Sequence, residues 1–257
     1  METEKPSKGR SKKLIAIVLV CIIIVAVASL IAFTRFPPSD GDGEPEPGYL
    51  LRLNYNVGEK MTYNMKTTLK TEGEDVTGEV LYEMEILNSD GENYTIKQTI
   101  SDKESGLSYT ATVKMNQTGH VVEYLECNAE YLGSSFALAG VPTFGDNFPF
   151  EEVKLGESWE TAIDIEMPEL DILDMDFSGT RKYTLSKVTN ETLKLEYETT
   201  VTMTRINDIA TADVSGTIYL DAVTCSLVEA TYFESIKVVA QGQTAEAEVI
   251  VHCWLIS

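Results

Sequence analysis

The chain has 257 residues, 41 of them acidic and 20 basic, which gives a formal net charge of −21. So acidic a surface repels nucleic acid, and nucleic-acid binding is therefore excluded as a function class. The charge is spread unevenly, because residues 1–35 hold six of the basic side chains and only two of the acidic ones.

Residues 14–33 are the first predicted element, a run of twenty residues in which Ser29 alone is not apolar. At about 1.5 Å per residue, a helix of this length spans ~30 Å, the hydrocarbon thickness of a bilayer. Five basic residues precede the run: Lys5, Lys8, Arg10, Lys12 and Lys13. Only Arg35 lies close behind it. This bias predicts a signal anchor in the lipid bilayer, with residues 1–13 cytoplasmic and the main domain extracytoplasmic.

The same run could instead be a cleaved secretory signal. Ala26-Val27-Ala28 has the small residues of a cleavage site. The apolar run continues to Phe33, however, which is long for a signal peptide and favours an uncleaved anchor.

Residues 34–48 are rich in proline, glycine and acidic residues and predict an extended linker between membrane and domain. Asp40, Asp42 and Glu44 alternate as they would in a calcium-binding loop. Such a loop needs glycine where this chain has Pro45, so no metal site is expected here.

From residue 49 to residue 257 the dominant pattern has a period of two. Apolar residues alternate with polar ones, as in Tyr49, Leu51, Leu53, Tyr55 and Val57, and again in Leu193, Leu195, Tyr197, Val201 and Met203. Strict alternation is typical of antiparallel strands with one buried face. The sequence therefore predicts a mainly β extracytoplasmic domain, a large antiparallel β meander that forms an open half-barrel.

Two stretches break this period and predict one or two short helices that cap the sheet. Residues 128–150 place Leu132 and Phe136 at helical spacing, with Asn128 as a capping residue. Residues 167–177 place Leu170, Leu173 and Phe177 at similar spacing, and a strand pair is an equal alternative there. An apolar ligand is expected beneath residues 129–139.

Two hairpins can be registered from the sequence. A two-residue turn at Gln241-Gly242 places Ala230 opposite Cys253 and Lys237 opposite Glu246. A three-residue loop at Ser89-Asp90-Gly91 places Met84 opposite Ile96 and Glu83 opposite Lys97, with Gly91 in the left-handed conformation.

Three phrases resemble recurring turn-and-strand segments of cell-envelope β domains: YNVGEKMTYNM (55–65), VKLGESW (153–159) and DAVTCSLVEA (221–230). Those domains are similar to the lipoprotein-carrier half-barrels of the LolA and LolB type. In that group an Asp-x-x-Thr-Gly turn opens a late strand, and Cys225 stands here in place of the glycine. The resemblance implies a half-barrel fold and the handling of an apolar ligand. The lipobox usual among bacterial members is absent.

The sequence contains no partnered nucleophile and no clustered metal ligands. The two histidines, His120 and His252, are interpreted as surface residues, so neither an enzyme nor a cofactor is predicted. Cys127, Cys225 and Cys253 allow at most one disulfide. Free buried thiols are favoured, and a bridge remains the alternative.

Glu234 interrupts the apolar inward face of the last hairpin, where a carboxylate is costly unless it is paired or neutral. It could bind a polar ligand head; alternatively a bulge turns it outward, or Arg181 pairs with it. The candidate ligand-cavity residues are Tyr55, Tyr63, Tyr82, Tyr109, Tyr197, Tyr232, Glu234 and Ala247.

These residues favour a non-catalytic binding module that holds an apolar ligand such as a lipid. The alternative is a structural or interaction domain with a filled core and protein partners at the cell surface. Three N-glycosylation sequons, at Asn93, Asn116 and Asn190, lie at or beside predicted hairpin turns, where a glycan can be accommodated.

Overall fold

The computed structural model describes residues 48–70, 75–102, 108–127, 148–163, 176–205, 208–240 and 243–257. The predicted cytoplasmic tail, membrane helix and nearly all of the linker lie outside these ranges. Within them, no helix is long and apolar enough to cross a membrane.

The described residues form one antiparallel sheet of eleven strands. In chain order these are β1 Lys60–Lys70, β2 Asp75–Ser89, β3 Asn93–Asp102, β4 Ser108–Asn116, β5 Val121–Cys127, β6 Ser158–Ile163, β7 Asp176–Val188, β8 Thr192–Arg205, β9 Asp208–Asp221, β10 Leu227–Ala240 and β11 Gln243–Leu255. Their order in the sheet is β5-β4-β3-β2-β1-β11-β10-β9-β8-β7-β6. Two meanders, β1–β5 and β6–β11, are thus joined where β1 pairs with β11. The sheet is open, with β5 and β6 at its two edges, which confirms the predicted open antiparallel architecture.

The alternating residues do face inward together. On β3, for example, Tyr94, Ile96 and Ile100 are buried, and so is the polar Gln98 that alternates with them. The core therefore lies against one face of the sheet, as the period of two predicted.

The predicted register of the last hairpin is confirmed. Ala230 pairs with Cys253, and Lys237 with Glu246. Lys237 Nζ lies 3.5 Å from Glu246 Oε1, an exposed ion pair on the outer face.

The predicted register of the β2–β3 hairpin is wrong by two residues. Met84 pairs with Gln98 rather than Ile96, and Lys97 with Glu85 rather than Glu83. The ladder is bulged between Ile86 and Asn88, and the three-residue loop 90–92 begins one residue later than predicted. Asp90 Oδ1 accepts the N–H of Asn93 at 2.7 Å. From Val80 to Ile86 the shift of two keeps the side chains on their predicted faces. Gly91 has the expected positive φ, 92°.

Residues 48–57, here called the N-terminal strap, are extended but lie outside the sheet, where the sequence predicted a strand. The strap crosses the end of the sheet that carries the β4–β5 and β9–β10 turns. Leu53 N–H donates to the Gln117 carbonyl at 2.8 Å, and Asn54 N–H to the Thr224 carbonyl at 3.0 Å. Leu51 of the strap is wholly buried. The strap therefore closes this end.

The predicted capping helices are not seen in the part of the chain that the structure describes. Residues 128–147 and 164–175, which hold most of both segments and the expected ligand-covering residues 129–139, lie outside it. Residues 148–150 are not helical, and Phe177 belongs to strand β7.

Candidate functional site

An aromatic row crosses the inward face of β6 to β10. Successive pairing places Trp159 opposite Tyr183, Tyr183 opposite Tyr197, and Gly216 between Tyr197 and Tyr232. Ring centroids are 5.4 Å apart for Trp159 and Tyr183, 5.1 Å for Tyr183 and Tyr197, and 5.6 Å for Tyr197 and Tyr232. These spacings lie in the favourable range for aromatic pairs.

A polar row lies two residues further along the same five strands. It consists of Thr161, Arg181, Thr199, Val214 and Glu234, each opposite the next. Four of the five side chains are polar, yet exposure is 1% for Thr161, 0% for Arg181, 6% for Thr199 and 5% for Glu234. Two ionisable side chains and two hydroxyls are therefore buried beside the aromatic row.

Some polar atoms on this inward face lack a hydrogen bond. Thr199 Oγ1 donates to the Thr180 carbonyl at 2.7 Å. Thr161 Oγ1 and Glu234 Oε2 have no partner among the described residues, and neither has Gln98 Nε2 on β3. Because buried polar groups are nearly always hydrogen-bonded, such atoms call for a water or a ligand.

Burial raises the pKa of Glu234 to about 8. The carboxyl group is therefore mostly protonated at neutral pH and can donate a hydrogen bond. Glu234 faces inward in an unbulged part of the ladder, opposite Val214 and Val249, so the alternative of an outward bulge is wrong. Arg181 lies three strands away in the same row and does not contribute to this shift.

The guanidinium of Arg181 acts instead on Tyr232. Burial raises the pKa of Tyr232 well above its usual value, and the tyrosines at 183 and 197 add to the rise. Arg181 acts in the opposite direction, which places its charge close to the aromatic row.

Of the eight predicted cavity residues, Tyr55, Tyr63, Tyr82, Tyr197 and Ala247 belong to one hydrophobic core cluster, and Tyr232 packs against it. Tyr197 and Tyr232 lie in the aromatic row, Glu234 lies in the polar row, and Ala247 is buried opposite Ile236 in the next row. The other four lie elsewhere: Tyr63 and Tyr82 stack on each other in β1 and β2, Tyr55 of the strap packs against Tyr94, and the side chain of Tyr109 is outside the described part of the structure.

Sequence reasoning missed Thr161, Trp159 and Tyr183 as site residues and treated Arg181 only as a partner for Glu234. A signal was present, since Arg181 is in phase with Tyr183 and Leu185 on the buried face of β7. An arginine at such a position is unusual enough to mark a site.

The histidines lie apart from these rows, whereas Cys253 faces inward opposite Ala230, in the row next to that of Tyr232. His252 Nε2 is 2.8 Å from Glu229 Oε1 on the outer face, and its ring packs on Trp254 at 4.6 Å. Burial lowers the pKa of His120. Cys225 and Cys253 are buried free thiols, as favoured from the sequence, and the side chain of Cys127 is not described.

The three sequons differ in how their asparagines are held. Asn190 is exposed in the β7–β8 turn. Asn93 Nδ2 lies 3.4 Å from Asp90 Oδ1. Asn116 Oδ1 accepts bonds from Thr118 N–H, Thr118 Oγ1 and His120 N–H. Asn190 therefore has the most accessible side-chain amide, and glycosylation at all three stays a prediction.

An open groove of about 870 Å³ lies mainly on the outward side of the sheet. Most of the side chains that line it are exposed and of mixed charge, for example Lys182, Glu198 and Glu248. Thr200 Oγ1 donates to Asp213 Oδ1 there at 2.7 Å. Thr199, Val214 and Glu234 of the polar row also line the groove, but they are buried. Because the exposed groups are solvated or already paired, the inward polar row is the stronger candidate site.

Comparison with known proteins leaves the family open. No family model matches the chain, and no curated protein matches it. Among solved structures, Rv2717c from M. tuberculosis has a TM-score of 0.33 and 12% identity, over 78% of this chain and 92% of that one. An outer membrane channel from Pseudomonas putida F1 has a TM-score of 0.20 and 8% identity, over 83% and 100%. These likenesses are too weak to carry an argument, and none of them links the chain to the LolA and LolB type.

Proposed function

We propose that the protein is a non-catalytic binding module, anchored by residues 14–33, whose extracytoplasmic sheet holds a small ligand with an apolar chain, such as a lipid. The observation that carries this proposal is the set of buried, inward atoms without a hydrogen-bond partner among the described residues: Thr161 Oγ1, Glu234 Oε2 and Gln98 Nε2. A bound molecule with a polar end would satisfy such atoms, and the aromatic row beside them offers an apolar surface for its chain.

A structural or interaction domain with a filled core is the second candidate. The observation in its favour is that the inward rings pack on one another, as Tyr63 does on Tyr82 at 5.7 Å and Tyr183 on Tyr197 at 5.1 Å. Under this alternative, buried waters would satisfy the three polar atoms.

Mass spectrometry of an organic extract of the protein distinguishes the binding module from the domain with a filled core. The full chain is purified folded and extracted, beside a control sample that has been unfolded, washed and refolded without lipid. We expect a near-stoichiometric amphipathic molecule in the first sample and none in the control. Its absence from repeated folded preparations would favour the filled core.

A second experiment tests the binding proposal by placing a larger side chain in the interior. Ala247→Phe should be tolerated in a ligand-holding interior, while the amount of co-purifying ligand falls; in a packed core it should cost roughly 1–3 kcal/mol. Ala230→Phe is the matched control, because Ala230 is wholly buried nearer the strap-covered end and should be overpacked under either hypothesis. Urea unfolding measures both variants, and equal destabilisation would contradict the binding proposal.

A further inference from the structure

The end of the sheet that the N-terminal strap crosses carries exposed apolar side chains. The four most exposed large apolar residues among those that the structure describes all lie there: Val223, Phe150, Val57 and Leu50, with exposed fractions of 73%, 65%, 59% and 55%. Single exposed apolar residues are normal on a protein surface, whereas a group of them at one place marks a contact surface. These four residues are here called the apolar end.

The strap places two of them next to each other. Leu51 is buried in the core, so alternation along the extended strap places Leu50 and Arg52 on its outer side. The Arg52 guanidinium donates to the Phe150 carbonyl at 2.6 Å and lies 5.9 Å from the centre of the Phe150 ring. The exposed ring is therefore held against the outer side of the strap.

The β9–β10 turn adds Val223 to the same surface. Asn54, two residues beyond Arg52 on the strap, donates its N–H to the Thr224 carbonyl at 3.0 Å. Within the turn, Asp221 Oδ1 accepts the N–H groups of Val223 and Thr224 at 2.9 and 2.8 Å. The turn is thus bonded to the strap, with the side chain of Val223 exposed beside it.

The polypeptide enters the described domain at this end, because the strap begins at Gly48. Residues 34–47 separate it from the proposed anchor at 14–33, and a chain of this length spans at most about 50 Å. The other end of the sheet lies roughly 45 Å further away, the length of a strand such as β10 with its 14 residues. The anchor therefore holds the apolar end closest to the bilayer, and this tether raises the effective concentration of one for the other.

We propose that the apolar end rests on the outer surface of the lipid bilayer, with Val223, Phe150 and Leu50 among zwitterionic headgroups. This rests on the anchor of the proposed function and adds the orientation of the domain. Apolar side chains bind such a surface by burying their area at the boundary between headgroups and acyl chains. Glu151 and Glu152 are exposed beside Phe150, and the chain carries a net charge of −21, so anionic lipid would repel this end.

Quenching by brominated lipid tests the contact. The full chain is placed in phosphatidylcholine nanodiscs with and without bromine on the acyl chains, and a tryptophan is added as Val223→Trp. Wild type, with Trp159 and Trp254, gives the baseline. The added fluorescence should be mostly lost in the brominated discs, and Leu50→Trp is a second reporter if Val223→Trp does not fold.

Val239→Trp is the matched control, because Val239 is an exposed valine at the opposite end of β10. Its added fluorescence should persist, and equal quenching at both positions would overturn the orientation. Asn190 lies in the β7–β8 turn, beside the β9–β10 turn, where the Glu191 carbonyl accepts the Ala222 N–H at 2.9 Å. A glycan there would compete with the bilayer, so the protein is prepared without N-glycans.

Further variants assign the contact to residues. Phe150→Ser should weaken the quenching of the added tryptophan, because it removes the largest apolar side chain of the surface. Phe233→Ser is its control, since Phe233 is 54% exposed but lies on the outer face of β10 away from this end, and quenching should persist. Adding phosphatidylglycerol should also weaken the quenching, and an increase would contradict contact with zwitterionic lipid.

The remaining outcomes are distinct. Elution of the chain with the nanodiscs, without quenching of Val223→Trp or Leu50→Trp, would overturn the docking and leave the anchor standing. Protection of these tryptophans from aqueous acrylamide without quenching by lipid would show that another segment or a protein partner covers the surface, which would overturn it as well. Failure of the chain to associate with the discs would overturn the anchor of the proposed function itself.

Discussion

At the scale of single residues, Glu234 shows how burial changes the chemistry of a side chain. An exposed glutamic acid ionises near pH 4.5, whereas burial raises the pKa of Glu234 to about 8. Its neighbours in the row of paired strands, Val214 and Val249, offer no hydrogen bond. The folded protein therefore binds this proton more tightly than the unfolded chain does, and folding stability must depend on pH.

We predict that Glu234 lowers the stability of the protein as pH rises. Below pH 4.5 the carboxyl group is protonated in both the folded and the unfolded state. Between pH 4.5 and pH 8 unfolding releases its proton, so the free energy of unfolding falls as the pH rises. Above pH 8 the contribution of Glu234 is constant. The Glu234→Gln variant has no group that titrates at this position. Between pH 5 and pH 9 its free energy of unfolding should therefore rise by roughly 3–5 kcal/mol relative to that of the wild type. Urea unfolding across this range measures the difference.

Glu248→Gln serves as the control for loss of one acidic side chain, because Glu248 is exposed on the adjacent strand, opposite Ser235. It should change the pH profile by far less. Parallel profiles for Glu234→Gln and wild type would show that the Glu234 carboxyl is solvated or paired in solution.

At the scale of elements, the β9–β10 pairing depends on Gly216 in the middle of the aromatic row. The rings of Tyr197 and Tyr232 meet edge to face across it, at an interplanar angle of 82°. A Cβ on Gly216 would meet the Thr231 carbonyl oxygen and lie 2.7 Å from Tyr232 Cδ1. The glycine is therefore required by the close approach of the neighbouring strand and ring.

We predict that Gly216→Ala destabilises the fold by roughly 2–3 kcal/mol, because the backbone of β10 would have to shift. Gly78→Ala is the matched control in β2. A Cβ there meets nothing within 4 Å, so the change should be neutral or stabilising by up to about 1 kcal/mol, since alanine has less conformational freedom to lose. Urea midpoints compare the two, and equal effects would contradict this account of the aromatic row.

At the scale of the whole molecule, the N-terminal strap ties the two meanders together. It bonds to Gln117 in the first meander and to Thr224 in the second. Arg52 extends the same connection, since its guanidinium donates to the carbonyls of Leu51, Pro149 and Phe150 at 2.6 Å. In the strand order, the two meanders are joined at one place, the β1–β11 ladder. The strap adds a second connection between them.

We predict that Leu51→Ala lowers the stability of the whole domain by roughly 2–4 kcal/mol, with a single unfolding transition, because it leaves a cavity where strap and sheet meet. Leu50→Ala is the matched control: Leu50 is the adjacent residue and 55% exposed, so its loss should change stability by less than about 0.5 kcal/mol. Urea unfolding followed by both circular dichroism and Trp fluorescence tests this. Separate transitions for Leu51→Ala would show that the meanders fold independently.

Local features of the fold could be predicted from the sequence. The alternation of apolar and polar residues predicted that side chains such as Tyr197, Glu234 and Cys253 face inward. The face of a side chain depends only on whether its position is odd or even along the strand. The Gln241-Gly242 hairpin was registered correctly, since its strands meet across a short turn without a bulge. Cys225, which stands in place of the expected glycine, has a φ of 52°. This is the left-handed conformation that suits glycine, so the resemblance marked this position correctly.

The tertiary structure alone decided which inward residues share a row. The β2–β3 register moved by two residues because the turn begins later than predicted and a bulge lies beside it, and alternation encodes neither. Thr161, Arg181 and Glu234 come from strands separated along the chain, and their alignment depends on every intervening register. The sequence by itself determined which face of each strand is buried, because this depends only on local alternation. The candidate site required the order and register of five strands, because the pairing between strands is not encoded in that alternation.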